Sequence, residues 1–284
     1  MKIKLLFIIL ISVSAISCKN KLLIKAGITK APINEALIDT SGTTLQTRIK
    51  CPEGYSRTVA EPNSFTTFLR NLKLKPHGTD VQLYNGKAKQ VMVHCGVIDM
   101  PIRNKDLQQC ADSGIRLYAE YLYATKQYDK IRFNFTNGQS CAYVNYAEGF
   151  RMRFEGEKAV WYPSKLKDYG YETFLDYLDL VYMYAGSFSL SEELIKRPIQ
   201  EIAPGDLFIY PGFPGHVVIV LDVCQNDTTG EKLFLTAQGF TPAQEIEVLV
   251  NLEAKHQNPW YAIPEANVIT PQFDFTVDQL YRWK

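Results

Sequence analysis

The sequence has almost no charge to spare in either direction. Its 31 lysines and arginines face 30 aspartates and glutamates, a formal charge of +1. No basic run or stripe disturbs that balance, so there is no electrostatic case for a nucleic-acid partner. Histidine is scarce: His77, His94, His216 and His256 stand apart. With no His-x-His, no His-Glu-x-x-His and no Cys-x-x-Cys spacing, a metal site is not expected, and nothing calls for a cofactor. There is no internal repeat and no low-complexity stretch. Past the first residues no apolar run approaches the roughly 20 residues that a membrane-spanning helix needs. Bulk disorder is excluded by the 46% hydrophobic and 12% aromatic content, which suits a packed core.

What is present begins at the N-terminus. Lys2 and Lys4 make a short positive region, Leu5 to Ile11 an unbroken apolar run, and Ser12 to Ser17 a small-residue stretch. This is the order of a signal peptide. Ala15-Ile16-Ser17-Cys18 resembles the lipobox of bacterial lipoproteins. That resemblance implies cleavage before Cys18, a diacylglycerol on its thiol and an acyl group on its new amine. Several chains on one residue give stable anchoring. The expected organisation is a signal peptide over 1–17, a lipidated tether over 18–45 and a single α+β domain over 46–284. The membrane, through Cys18, is then an expected partner, and the cell envelope the expected location. Lys19 after the anchor favours the outer membrane.

Cleavage leaves 267 residues, enough for one large domain or two small ones. Acylation of Cys18 leaves five cysteines: Cys51, Cys95, Cys110, Cys141 and Cys224. Disulfides persist outside the cytoplasm, yet five is odd, so at least one thiol is free or paired with another chain.

The patterning predicts a helix over 64–72 and strands over 81–84 and 90–100. The strongest helix lies over 107–123, with a hairpin over 150–162 turning at Gly156 after it. Helices follow over 171–185 and 189–196, the second opened by a capping box of Ser189 and Glu192. After Pro204-Gly205 come strands at 206–210, 216–224, 232–238 and 245–250. Helices first and an antiparallel sheet after them make the class α+β.

The 216–238 segment is informative enough to register. Val217, Ile219, Leu221 and Val223 alternate with His216, Val218, Val220 and Asp222. Across the turn Leu233, Leu235 and Ala237 alternate with Lys232, Phe234, Thr236 and Gln238. Pairing numbers that sum to 454 sets Asp222 against Lys232 and His216 against Gln238, with one face dry. A two-residue slip keeps the faces and leaves Gln238 a diagonal neighbour, still within reach. An amide oxygen beside an imidazole fixes its tautomer, and a histidine so oriented can act as base toward a thiol. A strand-end histidine that merely bonds its neighbour is the plainer reading of the hairpin alone.

Pro204-Gly205-Asp206-Leu207-Phe208-Ile209 and His216-Val217-Val218-Ile219-Val220 resemble the Gly-Asp strand and His strand of papain-like cell-wall hydrolases, closest to the NlpC/P60 and CHAP groups. The resemblance implies a papain-like core, an antiparallel sheet packed against helices, and a catalytic order of Cys110, His216 and Gln238. It departs at the thiol, where Gln109-Cys110-Ala111-Asp112 replaces the familiar Asp-Cys start. Over nearly the whole mature chain the sequence is similar to uncharacterised lipoproteins of Bacteroides-like bacteria, filed as a domain of unknown function (4846). The segments that carry this are Phe68–Leu72 with Leu74–Gly78, Asp106–Asp112, Ala119–Tyr123, Phe133–Thr136 and Pro214–His216. It brings no activity with it.

Cys110 falls on an apolar helical stripe, as a core cysteine would. If the helix opens near Asp112, the thiol sits at its positive end and ionises more readily; if it opens at Asn104, that help is lost. Cys95, beside His94 on a strand, is a second reactive-thiol candidate but looks structural. Cys51, Cys141 and Cys224 are disulfide or core candidates. The expected enzyme is a cysteine amidase or peptidase in which Cys110 attacks a peptide amide, His216 moves the proton and Gln238 orients it. The oxyanion donors would be the Cys110 N–H with Gln108 or Gln109. A non-catalytic peptide- or glycan-binding module and a structural envelope component are the other readings.

Overall fold

The computed structural model describes residues 33–156, 158–254 and 258–284. The leader, Cys18 and the first part of the tether lie outside the described residues. The fold is α+β. Its centre is the strand His216–Asn226, eleven residues long, whose apolar run leaves nothing exposed as far as Cys224. It is flanked on one side by Lys232–Gln238 and on the other by Leu207–Tyr210, all antiparallel. The sheet continues outward through Glu247–Leu249 to His94–Val97 at one edge. At the other it passes through Leu280–Arg282 to Ile195–Lys196. Tyr55–Arg57 pairs with the far end of the His216 strand.

The helices fall close to expectation. Phe65–Arg70 is capped by Ser64, whose Oγ accepts the Thr67 N–H at 3.2 Å. Tyr171–Tyr184 buries Phe174, Leu178, Val181 and Tyr182. The 150–163 hairpin turns through Gly156 as its sequence predicts. Several expectations are corrected. The helix expected at 189–196 runs Ser187–Glu193. Ser189 lies inside its first turn and accepts the Gly186 N–H at 2.9 Å rather than serving as cap. The 81–84 segment makes only isolated bridges, and 90–100 is a strand only over His94–Val97. The globular part starts before residue 46: Leu37, Ile38 and Leu45 are buried, and Ile38 bridges Ile49.

The central hairpin departs most. Pairs near its turn sum to 457, as in Lys232–Gln225 and Leu235–Asp222, and to 456 beyond a bulge at Leu221, as in Thr236–Val220. One extra residue shifts the ladder and bends the strand. Asp222 therefore never meets Lys232. It is fully buried, and Arg57 Nε (2.6 Å) and Arg70 Nε (2.7 Å) hold its two oxygens. Lys232 instead donates to the Gln200 carbonyl. Nor is one face wet, for His216, Val218, Val220, Thr236 and Gln238 are all buried. The sheet is covered on both sides.

Candidate functional site

The helix that carries Cys110 runs Cys110–Ala124, between the two starts the sequence left open. Cys110 is its first residue. Asp112 reaches back to accept the Gln109 N–H at 3.0 Å, which stops the helix from extending further toward the N-terminus. The helix lies on the His216 strand at Gly114, where a Cβ would stand 3.2 Å from Leu207 and 3.8 Å from Val217. A second close approach is Gly239, directly after Gln238, where a Cβ would fall 2.8 Å from the Gln109 carbonyl and closer still to Ser113. A side chain at Gly239 would force the helix start off the sheet, and one at Gly114 would require Leu207 to give way.

This contact puts Cys110 and His216 on the wall of one cleft of about 1030 Å³. Its margins come from 83–91, 182–187, 212–216 and 240–244. The Val217 backbone N–H, next in chain to His216, faces the Cys110 sulfur.

His216 is buried and packed against Phe240, Phe273 and Phe275. Its Nε2 lies 2.9 Å from Gln238 Oε1. The Gln238 amide cannot be reversed, because its Nε2 donates to Glu247 Oε1 (3.0 Å) and Gln272 Oε1 (2.6 Å). Turned over, it would set an oxygen against two acceptors. Nε2 of the imidazole must therefore carry the proton, which leaves Nδ1 as the basic nitrogen.

Glu247 anchors the network. It is fully buried and bonded by Lys89 and by Gln244 Nε2 (3.2 Å), with His94 Nδ1 at 3.5 Å. Lys89 also donates to Gln272. Burial pushes the Glu247 carboxyl up, but Lys89, His94 and Gln238 outweigh it and hold it at about 2. Neither Lys89, Glu247 nor Gln272 carries a sequence signal. The only hint was that strand 245–250 continues the sheet next to Gln238.

Burial lowers His216 to about 4, with the Gln238 bond working against it. Burial, followed by the Asp112 charge, pushes the Cys110 thiol up to about 11, although the N–H groups of Val217, Ala111 and Cys110 pull it down. The helix-end effect expected from sequence is present but loses to desolvation. The resting pair is a neutral thiol and a neutral imidazole. Asp112 is raised to about 8 by burial, and its Oδ1 has no partner.

A stability profile follows from His216. An imidazole kept neutral down to about pH 4 in the fold titrates near 6.5 in the unfolded chain. Its contribution is whole above pH 6.5 and is lost as the pH falls toward 4, about 3 kcal/mol between those limits. Denaturant midpoints should drop across this window, and His216→Gln should make the drop shallower. An equal slope in both proteins would mean that His216 is charged in the fold.

The other candidates separate. Gln109 lines the cleft, fastened between Asp106 (3.3 Å) and Thr241 (3.1 Å). Gln108 does not line it: it is buried, its Oε1 accepting from Arg116 at 3.1 Å, on the wall of a separate small cavity. Cys95 is buried with its sulfur 3.7 Å from the Val248 carbonyl and its pKa pushed up to about 12 by burial. Tyr182 lines the cleft as well. Tyr118 and Tyr121 pack with Phe65, and Tyr123 with Phe174. Asp206 takes both Arg282 Nε and Nη2 and ties a turn. Trp260 is core. Among the described residues no three His, Cys, Asp or Glu side chains converge as metal ligands, and no helix is long and apolar enough to cross a membrane.

A cysteine at a helix start, a histidine opening one strand and an amide ending the next define a candidate thiol–imidazole–amide site. The chain belongs to the family described as a domain of unknown function (4846), whose model matches residues 45–282. No curated protein and no solved structure matches it.

Proposed function

We propose that this chain is an envelope lipoprotein, anchored through Cys18 and built on a papain-like core, that hydrolyses peptide amides. The observation that carries the reading is the locked Gln238 amide. It leaves His216 Nδ1 as a base in the cleft that Cys110 also lines. The Cys110 thiol attacks the amide carbonyl as His216 Nδ1 takes its proton. The proton passes to the leaving amine, and water then releases the acyl group from sulfur. The negative oxygen formed on attack is met by the Cys110 N–H, which has no acceptor within the helix. Because the resting pair is neutral, proton transfer accompanies attack rather than preceding it.

Cell-wall peptides are the substrate class that the NlpC/P60 resemblance suggests. The order of thiol helix, histidine strand and amide strand supports the papain-like reading, and the lipobox supports the anchor. Incubating the full chain with cell-wall peptides, quenching in acid and mapping it by mass spectrometry should find an acyl group on Cys110 and cleaved amides in solution. Saturable binding without cleavage, by calorimetry, would establish a binding module instead.

A further inference from the structure

We infer that Cys51 and Cys224 are placed to be joined by a disulfide. Cys51 stands just before the Tyr55–Arg57 strand, and Cys224 lies on the His216 strand opposite Arg57. Their side chains are near enough that each thiol is the first influence on the other's ionisation.

The backbone on both sides is pinned. Arg57 Nη2 donates to the Ile49 carbonyl (2.5 Å), Trp260 Nε1 to the Lys50 carbonyl (2.8 Å), and the Thr58 N–H to the Val223 carbonyl (3.1 Å). The backbone around both cysteines is thus held by contacts that do not involve the sulfurs. The pair is also asymmetric. Cys51 keeps a partly exposed edge, whereas Cys224 is fully buried. That is the division of labour between an attacking and a resolving thiol. The Cys224 hydrogen bond, and then the Arg57 charge, favour the thiolate at Cys51. Cys95 and Cys141 differ, each buried and pushed up to about 12.

The step balances with a disulfide oxidant. Cys51 thiolate attacks one sulfur of the oxidant and expels the other as a thiolate, leaving a mixed disulfide. Cys224 gives up its proton and attacks the Cys51 sulfur, releasing the second thiol. Two electrons and both protein protons end on the reduced oxidant. The reaction uses none of the groups at Cys110; of the three thiols it leaves unpaired, Cys95 and Cys141 are buried and Cys110 lines the main cleft.

The bond would close the chain between residues 51 and 224, a long loop whose closure restricts the unfolded state. The full chain, reduced and then treated with oxidised glutathione, is alkylated in denaturant and digested. A Cys51–Cys224 linked peptide is expected, with a Tm about 5–10 °C above that of the reduced protein. Cys51→Ser and Cys224→Ala should each lose both. Recovery of both cysteines in alkylated form from oxidised wild type would overturn the inference, as would a glutathione adduct that persists on Cys51.

Discussion

Cys110→Ala should cut amide turnover by roughly 10⁴-fold or more while leaving the fold intact. Loss of a nucleophile removes the covalent route, and only binding and the oxyanion donor remain. The substitution removes one sulfur from a helix start that is partly open to the cleft, so little packing goes with it. His216→Ala should cost about 10²–10⁴-fold, because a thiol at about 11 needs a base at the moment of attack. The two losses should not add, since both residues serve one step. Circular dichroism and a melting curve separate this from unfolding. Near-wild-type turnover in Cys110→Ala would end the cysteine-hydrolase reading. A competing thiol pre-ionised by His216 would give alkylation that saturates below pH 8. The neutral pair predicts alkylation of Cys110 that keeps rising to high pH.

Asp222→Ala should be the most damaging single change to stability, about 3–5 kcal/mol. Asp222 is fully buried at the start of the bulge, and it is the shared counter-charge of Arg57 and Arg70. Its Oδ1 also accepts the Val223 N–H at 2.9 Å. Deleting it strands two guanidinium groups, one of them almost wholly buried, and an unpaired buried charge is far costlier than the pair was favourable. Chemical denaturation measures it, with Asp222→Asn expected to fall between wild type and alanine. A loss under 1 kcal/mol would mean that water reaches both arginines.

The same residue shows why the sequence read well in some places and poorly in others. Periodicity located both strands of the 216–238 hairpin and the 171–184 helix, because each buries a long side of its own. A register set by a local charge pair between Asp222 and Lys232 does not hold. Asp222 is claimed by arginines more than 150 positions away, and no local pattern announces that. The adjacency of His216 and Gln238 survived because the two-residue slip leaves those side chains within reach. Cys110 was ambiguous because Gln109 is an uncommon cap, and only the Asp112 return bond ends the helix there. The groups that lock Gln238 were out of reach for a different reason: Lys89, Glu247 and Gln272 come from three separate segments that only the closed sheet brings together. The short sheet strands at 55–57, 94–97 and 280–282 likewise owe their form to neighbours rather than to propensity.

The two glycines under the helix start have a mechanical meaning. His216 and Gln238 ride on adjacent strands of a sheet buried on both sides and belong to one piece. Cys110 rides on the tip of a helix that touches that piece through bare backbone at Gly114 and Gly239. Where Cys110 stands on the cleft wall is therefore a gauge setting, fixed by how closely one rod lies on one plate. That spacing is set by two residues that have no side chain to contribute.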